Sequence, residues 1–200
     1  MDQKAIKRLS KDKVMARLIK ECSLREWPKV NYTPQFLFGE IIETILGQQL
    51  SNKAADTIIG RFKGIFGGKH PTPEQLLKVK DQTIRNCGTS WSKVSYVKNV
   101  ARAVKSKELD LRKIQSLSDE EVKAELLKIK GVGNWTAEMV LMFTLRRPDI
   151  FSSGDMGLQN AMHRHYKVRK GDIKKMEKIA EGWKPYRSLA CRYLWKSLDG

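Results

Sequence analysis

The sequence predicts an all-α protein. Apolar residues recur at helical spacing along almost the whole chain. No alternating apolar run longer than about four residues stands clear of that pattern. Most candidate helices also open on a Ser, Thr or Asp, the residues that satisfy the unpaired N–H groups of a first turn. There is no internal repeat and no low-complexity linker.

Taken in order, Ala5, Leu9, Val14, Leu18 and Ile19 predict one amphipathic helix ending near Cys22, with a basic outer face. Residues 27–31 read as a connection. Thr33 caps a helix with Pro34 at its first position, and Phe36, Leu37, Ile41, Ile42, Ile45 and Leu46 give it a broad apolar face. Gly47-Gln48-Gln49-Leu50-Ser51 interrupts the pattern. Ser51 then caps a helix carrying Ala55, Ile58, Ile59, Phe62, Ile65 and Phe66, closed by Gly67-Gly68. Thr72-Pro73-Glu74-Gln75 is a capping box opening 75–79, and a short helix is expected at 82–87. Ser90 opens 93–107, with Val94, Val97, Val100, Ala101 and Val104 in a stripe, and 109–117 is a link.

Ser118 and Glu121 form a second capping box, with Leu117 and Val122 placed as its hydrophobic staple. The helix it starts carries Val122, Leu126 and Ile129. Gly131-Val132-Gly133 breaks it, because both glycines supply backbone shapes that a Cβ resists. A further helix is expected over 134–146, ended by Pro148. After Asp155 come helices over 156–166, 173–181 and 187–198.

Lys and Arg number 39 against 22 acidic residues, a net +17. That excess points to a polyanionic partner, nucleic acid first. Ribosomal proteins share it, so charge alone names no activity. Cys22, Cys87 and Cys191 are isolated, with no zinc spacing and too few for a four-cysteine iron–sulfur cluster. They suit a reducing compartment. The charged N-terminus lacks the apolar core of a signal peptide, and no run approaches the roughly 20 apolar residues of a membrane span. A soluble intracellular protein with no membrane partner is expected. Two hundred residues fit one or two domains.

Two stretches carry candidate chemistry. A hairpin at 131–133 leaves the first N–H groups of the next helix pointing outward, a ready anion site; a helix–helix turn using glycines for geometry alone gives the same sequence. Asp155 precedes Met156, Leu158, Ala161, Met162 and His165 at helical spacing, so it is an N-cap. Most such aspartates only cap, but the dipole also favours a negative charge there, as an electrostatic catalyst needs. A helix of about 12 residues advances roughly 18 Å, and loop 147–154 can reach back about 27 Å. Asp155 can therefore lie near Trp135. The tip Gln48-Gln49-Leu50 either caps its turn or forms a wedge entering a base stack.

Leu126-x-x-Ile129-x-Gly131-Val132-Gly133-x-Trp135-Thr136-Ala137-Glu138-Met139, followed by Arg147-Pro148-Asp149-x-Phe151 and Gly154-Asp155-x-Gly157-Leu158, resembles the helix-hairpin-helix superfamily of DNA glycosylases. Within it, the stretch is similar to the 3-methyladenine DNA glycosylase II (alkylation-repair) branch. Gly47 through Ala55, Arg85 through Tyr96, and Trp183 through Trp195 match further family segments in the right order.

The resemblance implies two helical domains with a cleft between them. One is expected over 33–148, with the helix-hairpin-helix at about 118–146, and the other pairs 1–32 with 149–200. It implies hydrolysis of the N-glycosidic bond of a damaged purine by Asp155, with Trp135 facing it across the cleft. Trp135, Trp183 and Tyr186 become candidate base-pocket walls, although Trp183 and Tyr186 equally fit packing of the last helix. Trp91 and Trp195 read as structural or surface residues. DNA contacts fall to Gly131, Val132, Gly133, Asn134 and Thr136 in the hairpin, and to Gln48, Gln49, Leu50 and Ser51 in the insertion loop. A structural Na+ or K+ is implied on the carbonyls of Leu127, Ile129 and Val132; no cofactor is implied for catalysis.

Bifunctional members carry a lysine nucleophile where this chain has Trp135, and an indole cannot form a Schiff base. A monofunctional, monomeric enzyme acting on double-stranded DNA with a damaged base is therefore expected, located with the DNA in nucleoid or nucleus. Lys130 departs from the proline common before the hairpin glycine, and the chain lacks room for the extra N-terminal β domain of longer relatives. Two alternatives stay open: a glycosylase for deaminated, etheno or oxidised bases, and a non-catalytic DNA-binding module that kept the hairpin.

Overall fold

A computed structural model describes residues 3–27 and 30–199. Every regular element among them is helical. In chain order these are α1 (Gln3–Leu9), α2 (Lys13–Glu21), α3 (Pro34–Gly47), α4 (Asn52–Gly64), α5 (Pro73–Lys78), α6 (Asp81–Arg85), α7 (Trp91–Lys105), α8 (Asp119–Leu127), α9 (Asn134–Met139), α10 (Met156–Tyr166), α11 (Ile173–Ala180) and α12 (Arg187–Lys196). Part of the expected connection at 27–31 lies outside the described residues.

The chain divides into two compact units, Met1–Lys29 with Arg146–Gly200, and Val30–Leu145. Residues 146–148, expected with the middle unit, belong to the terminal one. Their backbone is tied to α12: the Ser188 hydroxyl donates to the Arg147 carbonyl at 2.6 Å, and the Ser188 N–H to that of Pro148 at 3.0 Å.

In the terminal unit, the single helix expected up to Cys22 is two. The chain turns at Ser10–Asp12, where the Asp12 carboxylate accepts the N–H groups of Val14 at 2.8 Å and Met15 at 3.0 Å and starts α2. A carboxylate satisfying two first-turn donors outweighs the continuous apolar stripe. Its other oxygen accepts the Trp183 indole N–H at 3.2 Å. Trp183 is fully buried, with the rings of Phe151 and Tyr166 each 5.8 Å away. Leu9, Met15, Leu18, Leu158, Met162, Met176 and Leu194 complete this core.

The middle unit is built around α3, which packs on α4, α7 and the segment after α9. Leu37, Phe38, Ile41, Ile42, Ile45 and Leu46 are buried, each contributing about 1.5–3 kcal/mol on transfer from water. Two lysines of α7 close other helices at their negative ends. Lys98 donates to the carbonyls of Leu77 and Val79 at the end of α5, at 3.1 and 2.6 Å. Lys93 does the same at the end of α3, to Leu46 at 2.8 Å and Gln48 at 2.7 Å.

The helix expected over 134–146 is regular only to Met139. Residues Val140–Thr144 form a π turn, closed by the Leu145 N–H on the Val140 carbonyl at 2.9 Å. Such a turn takes in one extra residue, and here Phe143 is exposed. Arg146, at φ 56°, ends the helix before Pro148 is reached.

Candidate functional site

Asp155 is the N-cap of α10, its Oδ1 accepting the Leu158 N–H at 2.8 Å. The same oxygen accepts the Trp195 indole N–H at 2.8 Å. Two donors on one carboxylate oxygen make charge-assisted bonds that fix its direction. Gly157 makes room for this: a Cβ there would lie 2.9 Å from Trp195 Cδ1 and Nε1, and 3.0 Å from Asp155 Oδ1.

The loop carrying Asp155 is fastened along its length. Arg187 grips Asp149 with Nε on Oδ1 at 2.8 Å and an Nη on Oδ2 at 3.0 Å. The Ile150 N–H donates to Ser188 Oγ at 2.9 Å. The Asp155 N–H reaches the Ser152 carbonyl at 3.0 Å, and Gln159 Nε2 reaches that of Ser153 at 3.1 Å. A half-buried carboxylate is thus held in a set direction within one unit, the condition for stabilising charge without reorganisation.

Trp195, expected to be structural or surface, is the residue that sequence reasoning missed. Nothing in spacing along α12 distinguishes it, and only the fold brings it to Asp155. Trp183 is corrected in the opposite sense. At 0% exposure, with its N–H on Asp12, it is core and cannot be an open wall. Tyr186 lines a recess beside Trp27 and Arg146, and neither Asp155 nor Trp195 is among the residues lining that recess. It is not a wall beside the carboxylate.

In the middle unit the hairpin holds Gly131 at φ 105°, directly over Tyr96, where a Cβ would lie 2.1 Å from the ring's Cγ. Gly133 is different: at φ −98° and ψ 179° it is extended, and a Cβ would meet nothing within 4 Å. Only one of the two glycines is required by the backbone. The turn is closed by the Val132 N–H on the Ile129 carbonyl at 3.0 Å and buttressed by Asn99 Nδ2 on the Lys130 carbonyl at 3.0 Å. Gly133 and Asn134 are exposed and Trp135 is half-buried, while the Val132 side chain is in the core.

The insertion loop and hairpin are joined. Gln48 Nε2 donates to Thr136 Oγ1 at 2.7 Å and more weakly to the Gly131 carbonyl at 3.4 Å. Thr136 is 2% exposed, so its expected DNA contact is corrected: its hydroxyl is spent on Gln48. Gln48 is a strut, not a tip. Lys93 holds the loop from below; burial pulls its amine below the ordinary lysine range. What projects is Gln49, at φ 56°, with Leu50 and Ser51. Leu50 is 37% exposed, and Ser51 caps α4 by accepting the Ala54 N–H at 3.4 Å.

The match to "HhH-GPD superfamily base excision DNA repair protein" spans residues 42–185. The chain belongs to that superfamily, and Asp155, Trp135 and the insertion loop all fall inside the matched span. It is similar to DNA-3-methyladenine glycosylase 1 of Schizosaccharomyces pombe, 36% identical over 163 residues that cover 80% of this chain and 72% of that one. Bacillus subtilis YfjP is 34% identical over 82% of this chain, which spans 59% of that relative's length. Among solved structures, S. pombe 3-methyladenine DNA glycosylase (Mag1) in complex with abasic DNA superposes with a TM-score of 0.89 at 32% identity, covering 99% of this chain and 98% of that one. Among the described residues no helix is long and apolar enough to cross a membrane.

Proposed function

We propose that the protein is a monofunctional DNA glycosylase that turns alkylated purines of the 3-methyladenine and 7-methylguanine type out of double-stranded DNA and hydrolyses their N-glycosidic bond. The observation that carries this reading is the Asp155 carboxylate, directed by both the Leu158 and Trp195 N–H groups. A base in the stack is out of reach, so the nucleotide must be extruded. As the base leaves, the sugar gains oxocarbenium character. A fixed carboxylate stabilises that charge and orients or deprotonates the attacking water.

Trp135, at the second position of α9, offers a π face to a base made cationic by alkylation. Ring alkylation also weakens the glycosidic bond, so a protein acid is not needed for departure. An indole forms no imine with the sugar, which supports the absence of strand cleavage. Gln49 and Leu50 project from a braced loop, the arrangement required of a wedge filling the vacated stack. The exposed backbone at Gly133 and Asn134 suits a phosphate, and the net charge of +17 suits a duplex. The protein acts as a monomer and needs no cofactor for the chemistry.

The family implies a monovalent cation at the hairpin. The carbonyls of Leu127, Ile129 and Val132 are neutral hard oxygens of the type Na+ or K+ takes. Ile129 already accepts the Val132 N–H, yet a carbonyl keeps a second lone pair. These residues fit such an ion, which would add positive charge where a phosphate docks.

The test is incubation with duplexes that each carry one methylated, deaminated, etheno or oxidised base, reading released bases by mass. Release confined to methylated purines supports the reading. Release only from another lesion class, or from none, overturns it.

A further inference from the structure

A second recess, about 370 Å³ in volume, lies wholly within the terminal unit and is not part of the Asp155 site. Its centre is the Trp27 indole, which carries two guanidiniums: Arg192 Cζ stands 4.5 Å from the ring centroid and Arg146 Cζ 5.1 Å. Arg25 and Arg147 line it as well, and Glu26 is the one carboxylate among its lining residues. Tyr186, Pro148 and Leu189 supply an aromatic and apolar wall.

Four arginines against one carboxylate in a small recess make an arrangement that folding alone disfavours. Like charges brought close on a partly buried surface destabilise one another. Burial, and after it the neighbouring Arg146 charge, make the Arg192 guanidinium easier to deprotonate than usual. Arg192 is nonetheless fixed, an Nη donating to the Arg25 carbonyl at 2.6 Å. Stacking on an indole leaves the edges of a guanidinium available, and those edges match phosphate oxygens two at a time. The volume falls in the lower range of small-molecule pockets. It is larger than a bare phosphate needs, and the Tyr186 wall suits a planar ring.

We propose that this recess binds a nucleotide unit, its phosphate taken by Arg146, Arg147 and Arg192 and its base or sugar lying against Tyr186 and Leu189. The unit comes either from a free nucleotide or from a DNA strand, and both present the same chemistry. The proposal does not depend on the glycosylase reading, because no residue of the Asp155 site takes part.

Calorimetric titration of the whole protein at low salt with 2′-deoxyadenosine 5′-monophosphate, and separately with deoxyadenosine, tests it. The nucleotide is expected to bind saturably at one site, and the nucleoside about tenfold or more weaker, for loss of charge-assisted bonds. Arg146→Gln and, independently, Arg147→Gln should each weaken nucleotide binding about tenfold. Lys174→Gln, an equal charge loss at an exposed site of the same unit, should leave it unchanged. If the two arginine variants also weaken binding of an undamaged duplex while Lys174→Gln does not, the unit belongs to a DNA strand. If duplex binding is untouched, it is a free nucleotide. No saturable binding to the wild type, or equal affinity in all three variants, overturns the proposal.

Discussion

The Trp195 indole N–H and the Leu158 backbone N–H converge on one oxygen of Asp155, each at 2.8 Å. The first comes from the last helix of the chain and the second from the helix Asp155 caps. The carboxylate is therefore both a structural cap and a group aimed by tertiary structure, and a side chain that only capped would not need the second donor.

Trp195→Phe separates these roles, since it keeps an aromatic ring and removes the donor. A hydrogen bond to a charged group is worth about 1.5–3 kcal/mol, so single-turnover base excision should slow by about ten- to a hundredfold. Duplex affinity should hold, because the cap and the basic surface are untouched. An unchanged excision rate would reduce the indole to packing.

Gly131→Ala and Gly133→Ala should part company. The first forces a Cβ into Tyr96 at φ 105° and should cost about 3 kcal/mol from strain and overpacking together. The second enters open space on an extended backbone and should lie within about 0.5 kcal/mol of wild type. Urea unfolding of the two variants decides it; equal losses would mean the hairpin is not held as described.

The insertion loop gives a second pair. Gln48→Ala breaks the bond to Thr136 Oγ1 and leaves a buried hydroxyl unsatisfied, lowering stability by about 1–2 kcal/mol. Leu50→Ala should leave stability near wild type, since Leu50 projects, and slow excision from duplex more than from single-stranded substrate. Equal slowing on both substrates would argue against a wedge at this position.

His165 predicts a pH dependence. Burial foremost, then the Arg17 and Arg164 charges, press its pKa below the ordinary 6.5. The folded state thus binds fewer protons than the unfolded one in the window below 6.5, and stability is lost as pH falls through it. His165→Gln should flatten the fall in urea midpoint between pH 7.5 and 5. The same slope in both proteins would assign the effect to other groups.

The sequence carried most of the helical framework because its signals are local. Thr33, Ser51, Thr72, Ser90, Ser118 and Asp155 all cap helices where their spacing places them. Asp12 shows the limit: its cap was present in the sequence, but a continuous apolar stripe concealed the break. The π turn after Met139 has no local marker. Side-chain roles fared less well, because burial is a tertiary property. Trp183 and Trp195 lie on either side of the same loop and helix, yet one is core and the other reaches the carboxylate. Likewise nothing near Gln48 reveals that Thr136 accepts its amide.

The most direct test compares wild type and Asp155→Asn in single-turnover release of 3-methyladenine and 7-methylguanine from methylated duplex. Asparagine caps as well as aspartate, so folding and duplex binding should persist. The excision rate should fall by a factor on the order of a hundred to a thousand, with the product strand left uncut. Undiminished release by the variant, or strand scission through an imine trapped by borohydride, would contradict the account.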